Sequence, residues 1–394
     1  MTDAYLLAGA RTPIGKFLGG LKSVPVTDLG ALVIRESLRR AAVEPAEVDE
    51  VIMGLILSGG VGQAPARQAA IRGGLPPRVA ALTINKVCGS GLKAVMLAAQ
   101  AVRLGDARIV VAGGMESMSR APHLLRGSRE GIKFGEIVLD DSMLRDGLWC
   151  AFEECHMGQH AEHTARTCQI SRLDQDRFAQ LSQERAARAA AAGAFRDEIV
   201  PVTVKSKGGQ TELAVDEGPR PETTADAMAQ LKPAFDAQGT VTAGNSSLLS
   251  DGAAAVVVAN AEVARRANHP WTARIVAYHT SGVEPREIFL APVEAIRQVV
   301  RKAGLSLEQI DLFEINEAFA AQMLGCIRGL GLDQERVNVH GGAIALGHPI
   351  GASGARVLVT LLAALHQRNA RYGIASLCLG GGNAVALLVE RTPL

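Results

Sequence analysis

The sequence predicts an α/β protein of two duplicated βαβ-type halves, related by a pseudo-twofold axis, with a loop domain inserted between them. Three observations carry this prediction. A repeat keeps its register over most of the chain, each copy alternates between helical and strand periodicity, and one long stretch has no counterpart.

The repeat emerges when residues 39–49 are laid on residues 301–311, which matches Ala41-Ala42-Val43 with Ala303-Gly304-Leu305 and Asp49 with Asp311. Further on, Gly89-Ser90-Gly91 matches Ala352-Ser353-Gly354, with the offset changed by a single position. Both triplets open an apolar helix, and each helix leads to a short apolar strand with a glycine-rich end, at 109–114 and 374–382. Runs 29–42, 51–57 and 293–303 alternate between the two periods, which is βαβ organisation. That pattern favours largely parallel sheets covered on both faces, with ligands met at the strand ends. A chain of 394 residues also exceeds what one ordinary core supports, so more than one packed unit is expected.

The stretch without a counterpart, 119–250, carries a basic loop (Arg126, Arg129, Lys133), a polar turn at 205–210 and a long alanine-rich helix. Ser171 with Asp174 forms a capping-box pattern at the start of that helix, and Gly193 is placed to end it. The expected division is 1–118 for the first half, 119–250 for the inserted domain, 251–270 for a segment returning to the first half, and 271–394 for the second half. Pseudo-twofold packing then brings the Cys88 loop opposite the loop around His348.

Composition narrows the function. Apolar residues make up 48% and charged residues 21%, as in folded soluble proteins. Forty-one basic residues against forty acidic ones leave a net charge of +1, so no overall field recommends nucleic acid or an anionic membrane as partner. An acid at position 3 and Arg11 interrupt anything resembling a signal peptide, and no uninterrupted apolar run approaches the roughly 18 to 20 residues of a membrane span. A cytoplasmic protein is expected. Six cysteines without a CxxC pair fit reduced thiols, which leaves chemistry open to them.

Cys88 lies between the apolar segment 79–84 and a helix opened by Gly89-Ser90-Gly91. A helix N-terminus offers unpaired N–H groups and partial positive charge, which favour thiolate and can hold an oxyanion. The alternative is an inert buried cysteine. His348 sits in a glycine-rich run, 338–354, just before Pro349, and can take a thiol proton near neutral pH. Cys378 ends a strand before Gly380-Gly381-Gly382, where a parallel sheet delivers reactive groups. That triple glycine and Gly113-Gly114 both lack the spacing of a dinucleotide fingerprint. Asn316 is either a helix cap or a group that orients a water beside His348. Cys155, His156, His160, His163 and Cys168 invite a zinc reading, which is set aside because Gly158 interrupts the helical face and no HExxH or CxxC is present; no metal is expected.

Taken together, Asn85-Lys86-Val87-Cys88-Gly89-Ser90-Gly91, Asn316-Glu317-Ala318-Phe319, Gly347-His348-Pro349-Ile350-Gly351 and Cys378-Leu379-Gly380-Gly381-Gly382 resemble the thiolase family. The likeness extends from Arg11-Thr12-Pro13-Ile14-Gly15 to the end of the chain. It implies the thiolase-like fold and a reversible Claisen condensation of two acetyl-CoA to acetoacetyl-CoA and CoA, or thiolysis of short 3-ketoacyl-CoA. In that scheme Cys88 is the nucleophile, His348 activates it, and Cys378 is the acid/base of the carbon-carbon step. The amides of Cys88 and Gly380 form one oxyanion hole, and His348 with a water held by Asn316 forms the other. The resemblance further implies that His156, Met157, Arg220, Phe235, Ala243, Ser247, Ala318 and Phe319 hold the substrate and CoA. It implies no tightly bound cofactor, CoA and acetyl-CoA as substrates, and a homodimer or homotetramer.

His156-Met157-Gly158 resembles the short-chain branch. Two departures stand out. Ile288-Phe289-Leu290-Ala291-Pro292 replaces the family's Met-Gly-x-Gly-Pro loop, and Phe289 and Leu290 are expected to narrow or reshape the acyl pocket. Cys155 stands where the family has tyrosine. A longer-chain degradative thiolase, a ketoacyl synthase and a non-catalytic acyl-CoA or lipid-binding relative are the competing readings. The second cysteine argues against the synthase, and retention of all three reactive groups argues against the binding protein.

Overall fold

The computed structural model describes residues 2–206, 209–267 and 269–392. The first half contributes β1 (Ala4–Arg11), α1 (Val26–Arg40), β2 (Glu50–Gly54), α2 (Pro65–Arg72), β3 (Ala80–Ile84), α3 (Ser90–Leu104) and β4 (Ile109–Ser117). The stretch that follows holds β5 (Trp149–Cys150), β6 (Cys155–His156), α4 (Met157–Thr167), α5 (Arg172–Ala191), β7 (Val202–Ser206) and β8 (Gly209–Leu213). Of the expected polar turn at 205–210, residues 205 and 206 end β7 and residues 209 and 210 begin β8, and residues 207 and 208 lie outside the described residues. The chain continues with β9 (Ser250–Asn260), β10 (Ala273–Gly282), α6 (Ala291–Ala303), β11 (Leu312–Ile315), α7 (Ala320–Leu330), α8 (Ile350–Gln367), β12 (Tyr372–Leu379) and β13 (Asn383–Arg391).

The main strands form one sheet in the order β11-β12-β13-β10-β1-β9-β4-β2-β3. Outward from the β1–β10 contact, the order β1-β9-β4-β2 repeats as β10-β13-β12-β11, which is the signature of the duplication. The first half adds β3 parallel to β2, whereas in that place the second half has, among the described residues, a parallel bridge from Phe313 to Val337.

The expectation of largely parallel sheets is corrected. β1, β9, β10 and β13 pair antiparallel with their neighbours, and among the main strands of the described residues parallel pairing joins β4, β2 and β3, and β12 and β11. The reason is in the connections. A turn as tight as 380–382 joins β12 to β13 and permits only antiparallel pairing, and β9 enters beside β4 antiparallel, from the inserted stretch.

Alternation along β9 shows how the sheet is covered. Val256 and Val258 belong to the cluster around α3 and α8, and Ala255 and Val257 to the cluster around α1 and α2. On the second half, α6 and α7 cover the face opposite α8. Helices α3 and α8 cross at glycines, since a Cβ on Gly91 would meet the backbone of Ala355 and one on Gly354 the backbone of Leu92. The two equivalent helix starts are thereby held together. Sequence reading found no membrane-length apolar run, yet α8 is long and apolar enough to cross a membrane by length and composition. It is instead 89% buried within the fold, as a helix packed on all sides requires.

In the inserted stretch, α5 starts with the expected capping box of Ser171 and Asp174, and Gly193 follows its end with φ +71°. Helix α4, by contrast, runs through Gly158 instead of being interrupted there. The missing side chain leaves room for the Phe235 ring.

Candidate active site

Cys88, His348, Cys378 and Gly380 line one cavity of about 410 Å³, with α4, the 243–249 segment and the 288–289 turn forming its walls. The loops that carry the first two follow equivalent positions of the two halves.

Cys88 stands on a strained turn between β3 and α3. Val87 has φ +45°, a left-handed conformation costly for a β-branched residue and concentrated at functional sites. Ser90 holds the turn, donating to Val87 O at 2.7 Å and accepting from Lys86 N at 2.8 Å. Gly89 lets the Leu379 side chain pack against the turn, since a Cβ there would force that side chain to shift. The N–H groups of Cys88 and Gly380 both act on the Cys88 sulfur and favour its thiolate, but burial outweighs them and pushes the thiol up to about 12. The expectation of a resting thiolate at the helix start is therefore corrected: desolvation exceeds the help from two amides.

Burial, with a contribution from Arg356, holds the His348 imidazole down at about 3, so it is neutral. Its tautomer follows from hydrogen-bond accounting. The Ser353 hydroxyl donates to Pro349 O at 2.9 Å, so it can only accept from His348 Nδ1–H, 2.6 Å away. This leaves Nε2 as the basic nitrogen, with Asn316 Nδ2 at 3.4 Å. Among the described residues no hydrogen bond joins Cys88 directly to the imidazole.

Asn316 is not a helix cap, because α7 begins only at Ala320 with Phe319 as its N-cap. Its loop is fixed by the buried Glu317, which accepts from Ser182 Oγ, Asn338 Nδ2 and Ile344 N. Asn316 Oδ1 is buried and has no hydrogen-bond partner among the described residues. Glu116 does similar work on the other side, accepting from Ile56 N, Leu57 N and Gly351 N and so tying the first half to the start of α8. Burial pushes its carboxyl up to about 7, and its charge opposes ionisation of Cys88.

Cys378 lies near the end of β12, opposite Ala384 of β13. Desolvation, then the neighbouring sulfurs of Cys88 and Cys326, push its thiol well above the ordinary range. Gly381 and Gly382, both with φ above +80°, make the turn that presents the Gly380 amide.

His156, Met157, Phe235, Ala243, Ser247, Ala318 and Phe319 all line the cavity. His156 stacks on Phe235 at 4.7 Å, and Phe289 meets Phe319 edge-on at 5.2 Å. Ile288 and Phe289 reach the cavity, but Leu290 does not. It is the N-cap residue of α6 and turns toward Gly325 and Cys168, so the expected narrowing rests on Phe289. Arg220 does not line this cavity. It is exposed in an adjoining cleft with Lys16, which shares Leu248 and Leu249 with the main cavity.

Sequence reasoning did not assign Leu148, Ala234, Ser246, Leu248, Leu249 and Ile350 to the wall, although Ile350 stands in the 347–351 motif beside His348. It also missed Ser353 and Glu116. The first sits one helical turn into α8 in the same motif as His348, and the second follows the Gly113-Gly114 pair. Of the cysteine–histidine set considered for zinc, Cys155 Sγ lies 3.5 Å from His160 Nε2 and His163 pairs with Glu287 at 2.7 Å. Among the described residues no group of three potential metal ligands is assembled.

Comparison with known proteins agrees with this architecture. Residues 4–262 match the model of the thiolase N-terminal domain, and residues 269–391 that of the thiolase C-terminal domain. The chain is 53% identical over 392 residues to an acetyl-CoA acetyltransferase of Pseudomonas aeruginosa, covering 99% of this chain and 100% of the relative. An acetyl-CoA acetyltransferase of Cupriavidus necator is equally similar, and the cytosolic acetyl-CoA acetyltransferase of Mus musculus is 52% identical over 388 residues, 98% of both chains. Two family models matched in order, and relatives of this identity along the full length, establish that the chain belongs to the thiolase family.

Proposed function

We propose that the protein is an acetyl-CoA acetyltransferase, joining two acetyl-CoA into acetoacetyl-CoA and CoA and running the reverse thiolysis. The observation that carries this reading is the convergence of two thiols, one neutral imidazole with its basic nitrogen beside Asn316, and two backbone donors on a single cavity. The full-length relatives named for this activity support it.

In this scheme Cys88 gives its proton to His348 Nε2 as its sulfur bonds to the thioester carbonyl carbon. The N–H groups of Cys88 and Gly380 receive the oxyanion, a contribution of about 3 to 4 kcal/mol per donor in comparable sites. The tetrahedral species collapses to acetyl-Cys88, and the leaving CoA thiolate takes the proton from His348. Cys378 then gives its own proton to His348, now neutral again, and as thiolate removes the α-proton of a second acetyl-CoA. The enolate carbon attacks the acetyl group, Cys88 leaves as a thiolate that takes the proton back from His348, and acetoacetyl-CoA is formed with both thiols restored. His348 and Asn316 face the second substrate's carbonyl, where the enolate charge develops.

His156, Met157, Phe235, Ala243, Ser247, Ala318 and Phe319 line the path of the pantetheine and acyl groups, and Arg220 with Lys16 serves its phosphate end from the adjoining cleft. CoA and acetyl-CoA are substrates, and no tightly bound cofactor is required by these steps. A homodimer or homotetramer belongs to the same proposal, supported by edge strand β3 with its exposed Leu82 and by the exposed apolar residues Ile132, Phe134, Ile137 and Val138. The names of the cytosolic mammalian relatives support a cytoplasmic location. The test is CoA-dependent loss of the acetoacetyl-CoA enolate absorbance, with chain length varied in both directions. Absence of turnover in both directions would overturn the assignment, and preferential thiolysis of long-chain 3-ketoacyl-CoA would favour the degradative reading.

A further inference from the structure

The hairpin β5–β6 places Trp149 opposite His156 and Cys150 opposite Cys155. Opposed residues of an antiparallel pair project from the same face with Cα atoms about 4.5 to 5.5 Å apart, within the roughly 4.4 to 6.8 Å that a disulfide spans. Both thiols are free, Cys150 buried and Cys155 half-buried. Each is engaged by a neighbour. Glu153 N donates to Cys150 Sγ at 3.5 Å, and His160 Nε2 lies 3.5 Å from Cys155 Sγ. Burial lowers the His160 pKa, so this imidazole is a neutral base beside the more accessible thiol. None of these groups has a part in the condensation scheme. The hairpin nevertheless borders the cavity, since Leu148 immediately precedes it and His156 and Met157 end it. Phe152 at its tip lies against Gly381 of the turn that presents Gly380.

We propose that Cys150 and Cys155 form a reversible cross-strand disulfide that pins this wall of the CoA cavity, with a low-molecular-weight disulfide as oxidant. Cys155 passes its proton to His160 Nε2 and attacks one sulfur of the oxidant, expelling a thiolate that takes that proton. Cys150 then attacks Cys155 Sγ and expels the second thiol, which leaves with the Cys150 proton. Two cysteine thiols together lose two electrons, and one external disulfide becomes two thiols. Cys155 is suited to the first attack by exposure and by its base, and Cys150 to the resolving step by its place across the strand pair.

The experiment equilibrates the full-length enzyme in glutathione buffers of graded reduced-to-oxidised ratio, alkylates free thiols with N-ethylmaleimide and digests with trypsin without reductant. Residues 146–166 contain both cysteines and no internal Lys or Arg, whereas Cys88, Cys168, Cys326 and Cys378 fall on other peptides. The expected result is a 146–166 peptide lighter by two hydrogens and unalkylated, returned by dithiothreitol to the doubly alkylated form. Cys155→Ser and Cys150→Ser each abolish the lighter species and leave thiolysis by the reduced enzyme unchanged. The proposal is overturned if both cysteines remain alkylated at every ratio, or if Cys150 or Cys155 instead crosslinks to a peptide carrying another cysteine.

Discussion

Ser353→Ala tests the basic nitrogen of His348 without touching a reacting atom. In the native site the Ser353 hydroxyl is committed to Pro349 O and accepts the His348 Nδ1 proton at 2.6 Å. Alanine leaves two outcomes for a ring buried to 6% exposure. Either Nδ1–H stays and is orphaned, or the proton moves to Nε2, which then cannot accept from Cys88 and faces the Asn316 Nδ2 donor. Leaving a buried donor unpaired costs about 1 to 3 kcal/mol. At about 1.4 kcal/mol per tenfold change in rate, Cys88 acetylation should slow by roughly five- to 150-fold. The assay is rapid-quench measurement of acetyl-enzyme after mixing with acetyl-CoA, read as the gain of one acetyl group by intact-protein mass. Circular dichroism and thermal unfolding establish that the variant is folded. Acetylation within twofold of wild type in a folded variant would refute the tautomer assignment.

Three other expectations follow from the same geometry. Cys88→Ser should give no acetyl-enzyme, whereas Cys378→Ser should acetylate normally and fail in carbon-carbon bond formation; equal acetylation of wild type and Cys88→Ser would refute the roles. The His348 imidazole at about 3 and the Cys88 thiol at about 12 titrate outside the working range, so neither should produce an inflection in acetylation rate near neutrality. Glu116, at about 7, does titrate there. Its negative form opposes Cys88 ionisation, so acetylation should fall modestly as pH rises through 7, and Glu116→Gln should flatten that profile; an unchanged inflection in the variant would place its origin elsewhere. Phe289→Val should raise kcat/KM for longer 3-ketoacyl-CoA relative to acetoacetyl-CoA, by about fourfold per accommodated methylene at roughly 0.8 kcal/mol each. Unchanged chain-length preference would show that Phe289 does not limit the pocket.

The duplication and the helix start at Cys88 were legible in the linear chain from local rules, since a glycine-rich turn before an apolar helix is itself a signal. The grouping of Cys88, His348 and Cys378 came from the resemblance to thiolases, and the fold brings all three to one cavity. Sheet sense was not legible. Apolar strands of similar length look alike whether β9 and β13 run with their neighbours or against them, and only the connections and the packing choose.

What sequence determined by itself, then, was the repeated architecture and the kinds of chemistry the motifs can perform. Tertiary structure decided the protonation states and the walls. Burial turned the expected Cys88 thiolate into a thiol at about 12, and Ser353 chose the His348 tautomer. The turn of chain entering α6 brought Phe289 into the cavity and took Leu290 out of it. The physical reason is common to all three. Desolvation, hydrogen-bond partnership and side-chain direction depend on which distant segments close around a group, and that information is absent from the neighbouring residues in the chain.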